Sequence, residues 1–439
     1  MMTKKWQPYP TYKDSGVEWL GAIPEHWKVK KLKNVAFINL DTLNEDIQPD
    51  YLLTYIDIGN VTSDGSILET QEFQFKQAPS RARRKVKNGD TIISTVRTYL
   101  RAISLIKDPP ENLIVSTGFA VLSPRAEIDS RFLFRFVQSS EFVEKVVAHS
   151  EGVGYPAINP SKLACLPIWL PTLPEQQKIA EFLDQETSKI DKLITKKERL
   201  IELLKEKRTA LISHAVTKGL NPDVPMKDSG VEWLGEIPEH WENWKISHAF
   251  QKIGSGTTPS TNRYDYYDGD VPWINTSELR ENIITDTSVK ITNKALLDNS
   301  VLNLYSPGTL LIAMYGATIG RLGILGITAC TNQACCALAN PILLDTKFVF
   351  YWLWMRRNEL IILSSGGGQP NINQEKIRSI KIPAPPLPEQ QKIAQFLDRE
   401  TSKIDNLITK TSTSIDHLKE YRTALISAAV TGKIDVREH

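Results

Sequence analysis

Between Lys76 and Arg101 the chain carries eight basic side chains (Lys76, Arg81, Arg83, Arg84, Lys85, Lys87, Arg97 and Arg101) against one acid, Asp90. The net charge of the whole chain is only +2. A local patch on a near-neutral protein suits site-specific contact with phosphates better than indiscriminate coating of nucleic acid, although a charge run also serves as a plain solvated face. Arg97, Thr98, Tyr99 and Arg101 fall where a hairpin turn is expected, and arginine there can pair with guanine edges or phosphates. Tyr315, Thr318 and Arg321 occupy the corresponding turn later in the chain, and Arg263 stands among Tyr264, Tyr266 and Tyr267. Asn332, Gln333, Gln369 and Asn371 are amides suited to adenine. Thr257 and Thr258 of GTTPS and Gly367 of the loop SSGGGQPNIN complete the candidate binding residues.

Groupings that would make an enzyme are missing. No GxxxxGK[ST] phosphate loop occurs, no glycine fingerprint opens a helix after a strand, and no Ser/His/Asp or HExxH set stands out. Asp108-Pro109-Pro110-Glu111 half-resembles the Asp-Pro-Pro-aromatic motif of adenine methyltransferases, but the aromatic that would stack on a flipped base is absent, so a solvent turn is expected. Gly366-Gly367-Gly368 could cradle a phosphate through backbone N–H groups or serve as a plain flexible loop. The four cysteines (Cys165, Cys330, Cys335, Cys336) form no CxxC pair and have no histidine at ligand spacing, so neither disulfide nor metal is expected. The N-terminal basic residues precede no apolar run, and Thr309–Ala339 is broken by Arg321 and by glycines. A cytoplasmic protein without signal peptide or membrane span is therefore expected.

What must position the binding residues is a repeat. LPEQQKIAEFLDQETSKIDKLITK at 173–196 returns at 387–410 with three substitutions, an offset of 214 residues. KDSGVEWLGAIPEHW at 13–27 returns at 227–241, and RTALISHAV at 208 returns as RTALISAAV at 422. The intervening stretches, 28–172 and 242–386, have equal length and almost no identity. Both mix β-branched runs bounded by turns with a late helical pattern. YLLTYIDIG, DTIISTV and LIVSTGFAVLS read as strands, the stretch from Arg131 to Ser150 reads as one helix, and FVFYWLWMRRNELIIL reads as its counterpart. The organisation expected is a clasp and linker at 1–27, a variable α/β domain at 28–172, and a long helix at 173–220. A linker with the second clasp at 221–241, a second variable domain at 242–386, and a second helix with tail at 387–439 complete it.

Pro174 suits the first helical position and Glu175 the first turn. Stepping by fours and threes places Ile179, Leu183, Ile190, Leu193, Leu200 and Leu204 on one stripe, and Ile393, Leu397, Ile404, Leu407 and Leu418 on its copy. Each stripe needs a partner, and the other copy is the obvious one. The fold class expected is α/β: two α/β domains alternating with two long helices that pack as an antiparallel coiled coil with pseudo-twofold symmetry. One such helix would run roughly 60 Å.

The two LPEQQKIA-type helices, the paired GVEWLG-IPEHW clasps, and GTTPS…DGDVPWI with LLIAMYGATIGRLGI resemble the specificity subunit of type I restriction–modification enzymes over essentially the whole chain. The resemblance implies two target recognition domains, each reading one half of a split, asymmetric site in double-stranded DNA, with the helices as spacer. It implies docking of two methyltransferase subunits and two restriction subunits. S-adenosylmethionine, ATP and Mg²⁺ would be bound by those partners, and this chain would catalyse nothing. Two other readings stay open at this stage: a self-contained adenine methyltransferase, and a coiled-coil adaptor without a DNA role.

Overall fold

Both long helices begin on the repeated Leu-Pro-Glu, at Leu173–Lys218 and Leu387–Val430. The computed structural model describes residues 6–19, 21–231, 234–364 and 371–438. The chain forms two units, Met1–Glu198 with Ser412–His439, and Arg199–Thr411, so each long helix contributes one part to each unit.

In the first unit eight strands build the variable region: β1 (Ala36–Ile38), β2 (Leu52–Ile56), β3 (Gln71–Gln74), β4 (Ala82–Lys85), β5 (Thr91–Ser94), β6 (Ile103–Leu105), β7 (Leu113–Ser116) and β8 (Phe119–Pro124). They form two four-stranded sheets, ordered β3-β2-β7-β4 and β1-β8-β5-β6. The β2–β7 pair is parallel and the rest antiparallel. All four residues of β5 and of β7 are buried, which is why these strands read as continuous apolar runs rather than alternating ones.

The helix expected over Arg131–Ser150 is two helices, α1 (Ser130–Gln138) and α2 (Ser140–Ala148). Ser139 breaks it: its backbone is extended (ψ 147°), and its hydroxyl donates to the Phe136 carbonyl at 2.7 Å while capping α2. A serine that can bond the local backbone competes with helix continuation and prefers the N-cap.

The second unit carries β9 (Phe250–Gly254), β10 (Tyr267–Ile274), β11 (Asn282–Ile284), β12 (Lys290–Ile291), β13 (Leu310–Ala313), β14 (Leu322–Leu325), β15 (Cys330–Thr331) and β16 (Cys335–Pro341). A five-stranded sheet runs β9-β16-β13-β14-β11, and a smaller one β12-β10-β15. The late apolar stretch is again split, into α3 (Thr346–Met355) and α4 (Arg357–Ile362). Thr309–Ala339 is short strands and turns, and among the described residues no helix is long and apolar enough to cross a membrane.

Each variable region is sewn shut where the chain enters and leaves it. Lys28–Lys31 pairs antiparallel with Pro167–Leu170, and Glu242–Lys245 with Lys381–Ala384. The Trp-rich clasp is a hairpin in both copies, Tyr12–Asp14 with Ala22–Pro24 and Met226–Asp228 with Glu236–Pro238. Its last residue, Trp27 or Trp241, is fully buried.

The first turn of each long helix explains the Glu-Gln of the repeated motif. Glu175 accepts from Trp27 Nε1 at 3.1 Å and from the Tyr9 hydroxyl at 2.8 Å, and pairs with His26 at 2.9 Å. Glu389 meets Trp241 and His240 at 3.4 and 2.8 Å. Gln176 accepts from the Asp129 N–H at 2.8 Å and donates to the carbonyls of Glu127 and Pro171 at 3.1 and 3.0 Å. Gln390 does the same with Asp345, Leu343 and Pro385 at 2.7, 3.1 and 2.8 Å. Asp129 and Asp345 are the N-caps of α1 and α3. Glutamate therefore holds the clasp while glutamine holds the variable region's main helix.

Within each unit the two helix segments lie antiparallel. In the first, Arg422 Nε reaches Asp191 at 2.9 Å and Lys178 reaches the Arg437 carbonyl at 2.8 Å. In the second, Arg208 reaches Asp405 at 2.5 Å, with Glu389 beside Gly219. Arg208 and Arg422, like Asp191 and Asp405, are repeat equivalents 214 residues apart.

Candidate nucleic-acid interface

In the first variable region the β5–β6 turn is compressed enough that Arg97 and Arg101 both take left-handed backbone, φ 50° and 56°. A loop from Glu151 to Ala157 lies against it. Arg97 donates its N–H to the Pro156 carbonyl at 2.7 Å, and its guanidinium lies 4.3 Å from the Tyr155 ring centre. Arg101 reaches Ser140 Oγ at 3.3 Å. Tyr99 and Leu100 are exposed between the two arginines.

Thr98 turns inward instead. It is buried and its hydroxyl meets Ser150 Oγ at 2.9 Å, so it fastens the turn rather than presenting a group to a ligand. This placement departs from the expectation that Thr98 binds.

The basic strand β4 reaches the same rim only at its start. Thr117 N–H bonds the Arg81 carbonyl and Thr95 N–H bonds the Gly118 carbonyl, both at 2.8 Å, so a single turn joins Arg81 to the approach to Arg97. Farther along, Arg83 stacks on Phe75 at 4.9 Å, and half-buried Arg84 donates to Thr42 Oγ1 at 3.2 Å. Burial lowers the Arg84 pKa. Lys85 is exposed. Lys87 pairs with Asp41 at 2.6 Å and holds that carboxyl below its ordinary range.

The second variable region gathers a comparable rim with different chemistry. Its β13–β14 turn presents exposed Tyr315, whose carbonyl accepts from Thr318 Oγ1 at 2.9 Å, while half-buried Arg321 closes the turn. Tyr315 forms a β-bridge with exposed Asn371. Met314 N–H bonds the Ala334 carbonyl at 2.8 Å, which brings in Asn332 and Gln333. Gln333 Oε1 accepts from Thr258 Oγ1 at 2.7 Å, and the Thr257 carbonyl accepts from Trp273 Nε1 at 3.1 Å. Gly367 and Gln369 lie outside the described residues.

Arg263 is committed elsewhere. It forms two 2.8 Å bonds to Asp265 and lies 4.4 Å from the Tyr266 ring centre, and Lys294 takes the same carboxylate at 2.8 Å. The two cations hold the Asp265 carboxyl well below the usual carboxylate range. Tyr264 projects from this braced turn, 89% exposed.

On the helices, Ile179, Leu183, Ile190, Ile393, Leu397 and Ile404 are buried, and Leu193, Leu204 and Leu418 half-buried. Leu200 and Leu407 are 45% and 51% exposed and do not lie in the seam, contrary to expectation. The stripe of buried and half-buried residues on the second helix runs Leu397, Thr401, Ile404, Ile408, Thr411, Ile415, Leu418, Arg422 and Leu425, which alternates fours and threes in the opposite order. Every second position therefore shifts by one residue.

Val153 and Tyr155, at the tip of the loop beside Arg97, are not among the binding residues expected from residue type; the sequence signal there is an exposed apolar residue between two glycines, Gly152-Val153-Gly154-Tyr155.

Comparison with known proteins fits this duplicated arrangement. A family model described as the type I restriction modification DNA specificity domain matches residues 24–203 and again 238–417. The putative type I restriction enzyme MjaX specificity subunit of Methanocaldococcus jannaschii is 27% identical over 432 residues, covering 95% of this chain and 96% of its own. The type I restriction enzyme HindI specificity subunit of Haemophilus influenzae is 23% identical, covering 87% and 94%. Among solved structures, a chain from work on complex assembly and conformational transition of the type I R-M system superposes with TM-score 0.77 at 21% identity, covering 93% and 98%. The HsdS subunit of Thermoanaerobacter tengcongensis gives 0.57 at 22% identity, covering 94% and 98%.

Proposed function

The chain belongs to the type I restriction–modification DNA specificity family, and from that premise we propose that it reads a bipartite, asymmetric site in double-stranded DNA, one half-site per variable region. It is a specificity subunit and not an enzyme. The observation that carries the two-reader proposal is the contrast between scaffold and rim. The Glu-Gln clasp is the same in both copies, while the rims it supports differ: arginines on a left-handed turn in one, tyrosine, threonine and amides in the other. Identical supports favour equivalent placement, and unlike rims favour unlike half-sites. Arg97 and Arg101 suit the phosphates beside the first half-site, and Asn332 and Asn371 suit adenine edges in the second.

The repeated helices offer two equivalent surfaces, which suits two copies of one methyltransferase subunit. Exposed Leu200 and Leu407 belong to such a surface. Two restriction subunits join through that assembly, and S-adenosylmethionine, ATP and Mg²⁺ sit on the partners. Half-sites about one DNA turn apart, roughly 10 bp, fall on one face of the duplex.

The test is a genome-wide map of N6-methyladenine with the gene intact and deleted. Loss of one split motif upholds the proposal and supplies both half-sites. Loss of a continuous or palindromic motif, or an unchanged map in a strain with active partner subunits, overturns it.

A further inference from the structure

The loop Glu151–Ala157 puts a bare aliphatic side chain at the edge of the first reader. Val153 is 105% exposed, Tyr155 64%, and on the adjoining turn Tyr99 and Leu100 are 51% and 45% exposed. Single exposed apolar residues are ordinary on protein surfaces. Here four of them occupy two loops that are hydrogen-bonded together, through Arg97 N–H to the Pro156 carbonyl and the Val96–Ala157 bridge.

The tip is held out rather than left loose. Glu151 and Ala157 exchange both backbone hydrogen bonds, at 2.8 and 2.9 Å, and Ile158 N–H bonds the Thr95 carbonyl at 2.9 Å. Gly152 and Gly154 lie at φ 111° and 85°, backbone that other residues rarely adopt, and they allow a closed loop this short. Glu151, the acid of the loop, is taken up by Lys162. Among the described residues, the charges left beside the tip without an acidic partner are those of half-buried Arg97, stacked on Tyr155, and half-buried Arg101.

We propose that Val153 and Tyr155 form a wedge that enters a base step of the first half-site and partly unstacks it, with Arg97 and Arg101 on the flanking phosphates. The inference rests on the DNA-reading function proposed above and adds a mode of reading to it. A cationic rim with an aliphatic apex matches a partner that is anionic outside and apolar between its stacked planes. Wedges of this kind unstack and kink duplexes. Since pyrimidine–purine steps deform most readily, the wedge gives the first reader selectivity at a step where it makes no base-edge hydrogen bond.

The experiment uses the full chain assembled with its methyltransferase partners, and duplexes carrying the motif from the methylation map. 2-Aminopurine is moved step by step through the first half-site. The methylated adenine itself should brighten, because the methyltransferase turns it out of the stack; expected besides this is a second rise at one other step, lost in Val153→Ser with about tenfold weaker binding, and kept in Val153→Leu. Val153 touches no core, so these variants fold. Binding without this second rise, or a Val153→Ser complex that still gives it, overturns the wedge while leaving the DNA-reading function standing. Failure of the unsubstituted complex to bind its motif overturns both. Loss of methyltransferase co-purification in Val153→Ser, with the rise intact, assigns the tip to protein docking instead.

Discussion

Gln176→Ala tests whether the repeated glutamine fastens the first variable region to its helix. The side chain is fully buried and makes three hydrogen bonds to backbone groups: the Asp129 N–H and the carbonyls of Glu127 and Pro171. Truncation strands all three. A buried group left unsatisfied costs about 1–3 kcal/mol. Because alanine leaves room for water to enter, the lower value applies to each, giving about 3 kcal/mol in all. Asp129 caps α1 through bonds from the Arg131 and Phe132 N–H groups at 2.9 and 3.1 Å, so the loss is felt first in that helix. At about 1.4 kcal/mol per tenfold, amide exchange in α1 should quicken roughly 100-fold. Gln390→Ala is the internal control, since the same three bonds are made to Asp345, Leu343 and Pro385. It should loosen α3 by a similar factor and leave α1 unchanged. Hydrogen exchange by mass spectrometry reads both at once. Less than about fivefold acceleration in α1, or equal acceleration of α1 and α3 by either variant, refutes the reasoning.

The duplicated arginines should differ. Arg422 is buried and also donates to the Asp64 carbonyl at 3.2 Å, so Arg422→Met should cost about 2 kcal/mol by urea unfolding; Arg208→Met breaks a more exposed pair and should cost about 1 kcal/mol or less, and equal losses would count against this account. Burial pushes the thiols of Cys330 and Cys336 up to about 12 from 9.0, so the stability they contribute is complete below about pH 9 and lost as pH rises towards 12. At pH 8 a disulfide-exchange reagent should find one fast thiol, exposed Cys165, and the other three only in denaturant; two fast thiols in native protein would contradict their burial. Asp265→Asn releases Arg263 and Lys294 from a shared carboxylate, so DNA binding should steepen by about one in its log–log dependence on salt, whereas an unchanged slope would place that turn away from phosphate.

The scaffold was legible in the sequence because duplication states it twice: both long helices start on the repeated Leu-Pro, and both clasps close on the same tryptophan. The phase of the helix seam was not. Apolar counting favoured Leu200 and Leu407, whereas Thr401, Thr411 and Arg422 fill buried positions. Thr401 does so by donating its hydroxyl to the Leu397 carbonyl at 2.6 Å, and Arg422 by pairing with Asp191. A polar residue satisfied locally is invisible to a hydrophobic pattern. The rims were half legible. Residue type singled out Arg97, but only backbone geometry shows that Thr98 points inward and that Arg263 is spent on Asp265. Ser139 shows the same limit, since the four-residue polar interruption Gln138-Ser139-Ser140-Glu141 reads as a helix surface until the extended backbone of Ser139 is seen.

The division into units has a consequence for biosynthesis. The second unit is one unbroken stretch, Arg199–Thr411, while the first waits for Ser412–His439. In the first unit Ile179, Phe182, Leu183 and Ile190 share a core with Leu425, Ile426, Ala429 and Val430. On the ribosome those partners emerge roughly 240 residues after the first helix segment, about 12–48 s later at roughly 5–20 residues per second. During that interval a nascent apolar stripe stands uncovered while the later-encoded unit is free to complete itself. The unit that begins earlier in the chain is thus completed later, and its window of vulnerability to aggregation closes only once Ser412–His439 has emerged.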